Sequence, residues 1–263
     1  MLSGADRLGS GWLRLQLENG RLLLGPAEVN APGGTARLAG AYEPSERDVQ
    51  VALGAHVERF DYGILARRVR PDAGLEGLFS LELELAGRAP TLSALMAHAN
   101  GRIDFAVWPR NLKSGVFDLW AVNLFLALLP EIDPSAESRV NCAFARFDLR
   151  DGKLGDEAML IDTSRIRVTG RGGVDFADET LAFRFEPRAK EPQPFSVATP
   201  VEVTGTLTDF HVGPSAGDVL ATVPRFLGSL FLVPFQWFGV ELVPRDGRDV
   251  CADPLRAPRA AKR

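Results

Sequence analysis

Apolar and polar residues alternate with a period of two along much of the chain. Leu13, Leu15 and Leu17 alternate with Trp12, Arg14 and Gln16, and Val49, Val51 and Leu53 alternate with Asp48, Gln50 and Ala52. The same holds for Leu81, Leu83 and Leu85 against Glu82 and Glu84, and for Ile103, Phe105 and Val107 against Arg102, Asp104 and Ala106. Leu181, Phe183 and Phe185 alternate with Ala182, Arg184 and Glu186, and Val201 and Val203 with Glu202 and Thr204. Successive side chains of a strand point to opposite faces, so each run predicts a strand with one apolar and one polar face. An antiparallel sheet with one wet face has this pattern. Turn signals separate the runs: Asn19-Gly20, Asp151-Gly152 and Asp178-Glu179-Thr180. Strand, glycine, turn and strand recur as a weak repeat, with spacing too irregular for a propeller or solenoid.

Three segments break the pattern and predict helices. Residues 91–100 (TLSALMAHAN) place Leu92, Leu95 and Met96 at helical spacing, with Thr91 or Ser93 as cap and Gly101 as stop. Residues 114–129 form an apolar run ending before Pro130, and residues 214–233 carry a broad apolar stripe with a kink expected at Pro224. Residues 226–243 (FLGSLFLVPFQWFGVELV) approach the length of a membrane span, but Pro234, Gln236 and Glu241 interrupt them. A buried or interfacial segment fits better, with Phe231, Phe235, Trp237 and Phe238 as membrane-interface candidates.

Composition narrows the class. The chain has 263 residues, 46% hydrophobic and 24% charged, which are globular values and exclude a disordered or polytopic membrane chain. Thirty basic against 34 acidic residues give a net charge of −4, so nucleic acid is not an expected partner. The first 19 residues contain no apolar run of signal-peptide length. The expectation is either a cytoplasmic protein or the C-terminal piece of a longer one.

Catalytic chemistry finds no support. HExxH, CxxC, P-loop and GxSxG motifs do not occur, and Gly170-Arg171-Gly172-Gly173 lacks dinucleotide-fingerprint spacing. Asp162-Thr163-Ser164 has the look of an aspartic-protease triplet but has no convincing second copy. His56, His98 and His211 are far apart and read as structural residues, and Glu82 and Glu84 as a solvated strand face. No metal, cofactor or enzymatic activity is therefore expected. Cys142 and Cys251, 109 positions apart, have no local metal spacing. They are either two independent buried thiols or, in an oxidising compartment, a bridge tying the C-terminal tail to the sheet.

The second half carries a resemblance. Asn141-Cys142-Ala143-Phe144-Ala145-Arg146-Phe147-Asp148 leads to Asp151-Gly152, followed by Leu160-Ile161-Asp162-Thr163-Ser164 and Val168-Thr169-Gly170-Arg171-Gly172. Val174-Asp175-Phe176, Glu179-Thr180-Leu181 and Glu186-Pro187-Arg188 come next, then Thr199-Pro200-Val201-Glu202-Val203-Thr204-Gly205-Thr206-Leu207 and a late Cys251-Ala252. In order and spacing these resemble the C-terminal region of the AsmA family over residues 75–255, while residues 1–74 match in texture only.

The resemblance implies a periplasmic protein tethered to the inner membrane by an N-terminal helix, which this sequence does not contain. It also implies kinship with bridge-like lipid-transfer proteins, outer-membrane biogenesis and phospholipid transport. In a periplasmic chain Cys142 and Cys251 are expected to be bridged. The expected fold is mainly β: a curved antiparallel sheet forming an apolar groove, with a few short covering α-helices, in a single domain over residues 1–263 that ends in a flexible tail at 252–263. Leu81, Leu83, Leu85, Ile103, Phe105, Val107, Leu181, Phe183 and Phe185 are the groove candidates. The expected partner is phospholipid or another acyl-chain lipid, with contact to a membrane surface. The alternative is a structural or assembly module that binds an envelope protein.

Overall fold

The computed structural model describes residues 2–3, 6–7, 9–69, 76–110, 140–164, 166–190, 200–214 and 249–252. Among them, β1 (Leu2–Ser3) and β2 (Asp6–Arg7) pair as a two-stranded antiparallel sheet. All later strands join one antiparallel sheet of 13 strands. β3 (Ser10–Trp12) and β4 (Leu15–Glu18) both pair with β5 (Arg21–Ala31). From there each strand pairs with the next in sequence: β6 (Gly34–Pro44), β7 (Val49–Asp61), β8 (Gly77–Ala89), β9 (Ala99–Pro109), β10 (Val140–Arg150), β11 (Lys153–Thr163), β12 (Ile166–Asp175), β13 (Thr180–Ala189), β14 (Val201–Thr206) and β15 (Phe210–Pro214). The sheet is a plain meander and is open: β15 lies at one edge, β3 and β4 at the other.

The sequence dictates the turns. Asn19 and Gly20 have φ of 49° and 78°, and Asp151 and Gly152 have 46° and 75°. Positive φ at both central residues is what a two-residue hairpin needs to match the strand twist, and Asn-Gly and Asp-Gly tolerate it best. The turn after β12 also uses a positive φ, at Glu179.

The helix expected over residues 91–100 is corrected to turns and a short 3-10 segment, Met96–His98, running straight into β9. The ladder partner of Ala99 is Gly87, so the chain must re-enter the sheet within a few residues of leaving it. A helix there would bury no stripe: Leu92 and Met96 are exposed. The long-range ladder overrides local propensity. One α-helix, α1 (Tyr62–Val69), occurs among the described residues, in the connection from β7 to β8. Its eight residues are too short for the periodicity to have signalled it. Rings of Phe60, Tyr62 and Phe79 pack where it meets the sheet, and the Tyr62 hydroxyl donates to the Glu76 carbonyl. No helix among the described residues is long and apolar enough to cross a membrane. The helices expected over 114–129 and 214–233, apart from Pro214 at the end of β15, and the aromatic residues Phe231, Phe235, Trp237 and Phe238 lie outside the described residues.

Candidate functional site: the two faces of the sheet

Cross-strand register assigns every strand residue to a face, because directly opposed residues share one. One row runs Val29–Ala36–Val57–Leu81–Phe105–Ala145–Met159–Gly170–Phe185–Val201. The adjacent row contains Leu38, Ala55, Leu83, Ile103 and Phe147, and across the bulged pairing of β11 and β12 it resumes at Gly172, Phe183 and Val203. Leu24, Gly40, Leu53, Leu85, Gly101, Leu149, Leu154, Val174 and Leu181 form the next. Val107 sits between Phe79 and Ala143 on this same side. All the groove candidates read from the sequence therefore share a single face, brought together from β8, β9 and β13. β9 and β13 are four strands apart, roughly 19 Å across the sheet.

This face is accessible. Phe105 is 39% exposed, Leu53 48% and Leu38 41%, and the remaining groove candidates are half-buried. Isolated exposed leucines are ordinary; a contiguous exposed apolar surface is a candidate interaction surface. A shallow depression of about 680 Å³ crosses β5 to β9, where the glycines Gly40 and Gly101 lie in register with Leu24, Leu53 and Leu85. What the structure lays out is an apolar face.

The opposite face is charged, in rows. Glu28–Arg37–His56–Glu82–Asp104–Arg146 are successive cross-strand partners. Arg37 bridges Glu28 at 3.2 Å, Arg102 reaches both Glu82 and Glu84, and Arg184 bridges Glu202 at 2.8 Å. Glu82 and Glu84 thus belong to a solvated ion-pair ladder. Two charge clusters are buried. Arg146 donates to both oxygens of Asp104, at 3.2 Å from Nε to each, with side chains 9% and 7% exposed. Asp162 accepts from Asn141, Arg167 and Lys190 at 2.8–3.0 Å. Burial pushes the Asp162 carboxyl up, but these three donors outweigh it and hold it below the usual carboxylate range. Asp162-Thr163-Ser164 is accordingly a structural element: Thr163 Oγ1 accepts from the Ile166 amide and donates to its carbonyl.

On this polar face the C-terminal segment is fastened. Cys142 and Cys251 are disulfide-bonded and buried with Ala106 and Phe144. Trp108 Nε1 donates to Asp249 Oδ1 at 2.8 Å, and Arg59 pairs with Asp249 Oδ2 at 3.4 Å while stacking over the Trp108 ring. A bulge between Val57 and Phe60 gives Arg59 its φ of 43°, and the Arg59 amide donates to Ser80 Oγ. The Cys142–Cys251 bridge is the one expected from the sequence for a periplasmic chain; the sequence did not signal the Arg59–Trp108–Asp249 contacts beside it. The members of this clamp come from β7, β9, β10 and the tail, and Arg59 owes its position to a bulge that no periodicity reveals.

The apolar face also holds residues that sequence reasoning left out, notably Phe147, Met159 and Ile161. β10 reads Cys142-Ala143-Phe144-Ala145-Arg146-Phe147, with large apolar groups on both sides, so register alone decides that Phe147 joins Ile103 while Phe144 joins Ala106. No group of three or more His, Cys, Asp or Glu with metal-binding geometry occurs among the described residues.

No family profile matches the chain, and no solved structure matches it. The AsmA family protein YhjG of Escherichia coli (strain K12) is 23% identical over 209 residues, which cover 78% of this chain and 30% of that protein. The chain thus spans about a third of the length of the curated relative it matches. This similarity supports a relation to the AsmA family.

Proposed function

We propose that this chain is the lipid-binding part of an AsmA-type envelope protein, working in the periplasm in phospholipid transport to, and homeostasis of, the outer membrane. One observation carries the reading: an apolar face continuous across the sheet, backed by a face of ion-pair ladders. Acyl chains need apolar area and no particular polar partner, which is what the residues around Phe105 and Phe183 offer. The Cys142–Cys251 disulfide suits an oxidising compartment. Binding of this kind asks for no catalytic group, metal or cofactor.

Native mass spectrometry with lipid extraction tests the proposal, on protein purified in mild detergent and exchanged out of it. The expected result is one or a few phospholipids per chain, lost in Phe105→Asp and Phe183→Asp and retained in Glu82→Ala on the opposite face. Stable, monodisperse, lipid-free protein overturns it. The second reading is an assembly module for an envelope protein partner, favoured by strand edges that are unpaired among the described residues. That reading expects protein cross-links without lipid stoichiometry.

A further inference from the structure

We propose that Asp156 makes the apolar face selective for lipids whose headgroup carries a primary ammonium; this rests on the lipid reading above and narrows it. The ladders place residues of every strand from β3 to β15 on the apolar face. Among the described residues so placed, Asp156 is the only one with a charged side chain. Its position is central. Asp156 is the cross-strand partner of Phe147 on β10, and Phe147 is the partner of Ile103 on β9. On its other side Gly172 and Phe183 continue the row. The row reaches Leu38 on β6 in one direction and Val212 on β15 in the other, so apolar surface flanks the carboxylate on both sides. The Asp156 side chain is half-buried.

Local structure accounts for the position but not for the charge. β11 is irregular on both sides of this point: its register shifts against β10 between Arg146 and Phe147, and against β12 between Gly155 and Met159. Before the bulge the even-numbered residues of β11 face the apolar side, and after it the odd-numbered ones, as Leu154 and Met159 show. Asp156 is the last of the even ones. There the Gly172 amide donates to Asp156 Oδ1 at 2.7 Å. A neutral side-chain oxygen would serve that amide as well. Asp156 has no other hydrogen bond and no ion pair among the described residues. A carboxylate on an apolar surface is tolerated while water reaches it, and becomes costly once a ligand covers it without offering a cation. That penalty falls on a lipid that brings only negative charge. A lipid that brings an ammonium escapes it and gains a charge-assisted N–H···O bond. The flanking rows hold acyl chains whatever the headgroup, so the discrimination belongs to the carboxylate.

The test is competition binding on the full chain, read by native mass spectrometry, with circular dichroism to confirm folding. Phosphatidylethanolamine and phosphatidylglycerol with identical acyl chains are offered in equal amounts. Wild type is expected to retain phosphatidylethanolamine with about tenfold preference, the order of one charge-assisted hydrogen bond. Asp156→Asn keeps an acceptor for the Gly172 amide, and is expected to lose the preference while holding as much lipid in total. Glu84→Gln, on the charged face, is expected to keep the preference. N-acetylated phosphatidylethanolamine has the same chains without the cation, and is expected to bind wild type no better than phosphatidylglycerol; this arm depends on no variant folding. Lipid bound without headgroup preference overturns the inference and leaves the lipid reading standing, as does a preference that survives Asp156→Asn or acetylation. A wild type that binds no lipid overturns both.

Discussion

Asp104 and Arg146 show how much a single residue carries here. They face each other across β9 and β10, nearly without solvent, and each is the other's counter-charge. Removing one partner of a buried pair takes away the other's counter-charge, at a cost of about 3–5 kcal/mol. Asp104→Ala is therefore expected to lower unfolding stability by that order in chemical denaturation, and Asp104→Leu/Arg146→Met to recover most of it. Asp162 adds a pH dependence. Its carboxyl titrates lower in the folded chain than in the unfolded one, so it stabilises the fold fully above the ordinary carboxylate range. That contribution is lost as the pH falls from about 4 through the folded value. Asp175, held down by Lys153 and by the turn amides of Asp178 and Ala177, acts in the same direction. Denaturation followed from pH 6 downward is expected to show a smaller acid loss in Asp162→Asn than in wild type. An equal loss in both would remove Asp162 as a cause.

At the scale of elements, the strands arise from alternation and the hairpins from their turn residues. Asn19-Gly20 and Asp151-Gly152 needed nothing beyond local chemistry to be read correctly. The segment 91–100 had helical spacing and became a turn because the ladder from Gly87 to Ala99 takes precedence. The C-terminal clamp is likewise a tertiary product. Its disulfide joins residues 109 apart, and its loss in Cys142→Ser/Cys251→Ser is expected to cost about 2–5 kcal/mol. Asp249→Ala removes the acceptor of Trp108 and the counter-ion of Arg59 while keeping the bridge. The expected outcome is a changed Trp108 fluorescence with only a small loss of stability, because the Arg59 pair is half-exposed. A full-sized loss in Asp249→Ala would move the weight of the clamp from the disulfide to the ion pair.

For the whole molecule, the separation of faces is the governing fact. One side of the sheet offers an apolar surface and the other a lattice of charges, so substitutions of similar size are expected to act differently by face. Phe105→Asp should abolish lipid retention, and Glu82→Ala, a neighbour across the same strand pair, should leave it unchanged.

Local sequence by itself determined the β class, the wet and dry sides of β4, β7, β8, β9, β13 and β14, and the turns at Asn19-Gly20, Asp151-Gly152 and Asp178-Glu179-Thr180. These are local properties, fixed by the pleat and by which residues tolerate positive φ. It also supplied the groove candidates, since Leu81, Phe105 and Phe183 each lie on the apolar side of their own strand. It could not say that these sides coincide. Each strand pair is free to slip, and a shift of one residue inverts a face, so their coincidence is a property of register summed over many strands. Tertiary structure alone placed Phe147 and Met159 beside them, where apolar residues on both sides of β10 and bulges in β10 and β11 erase the pattern. It alone brought Arg59, Trp108 and Asp249 together beside the Cys142–Cys251 bridge, because contacts between distant segments leave no period in the chain that makes them.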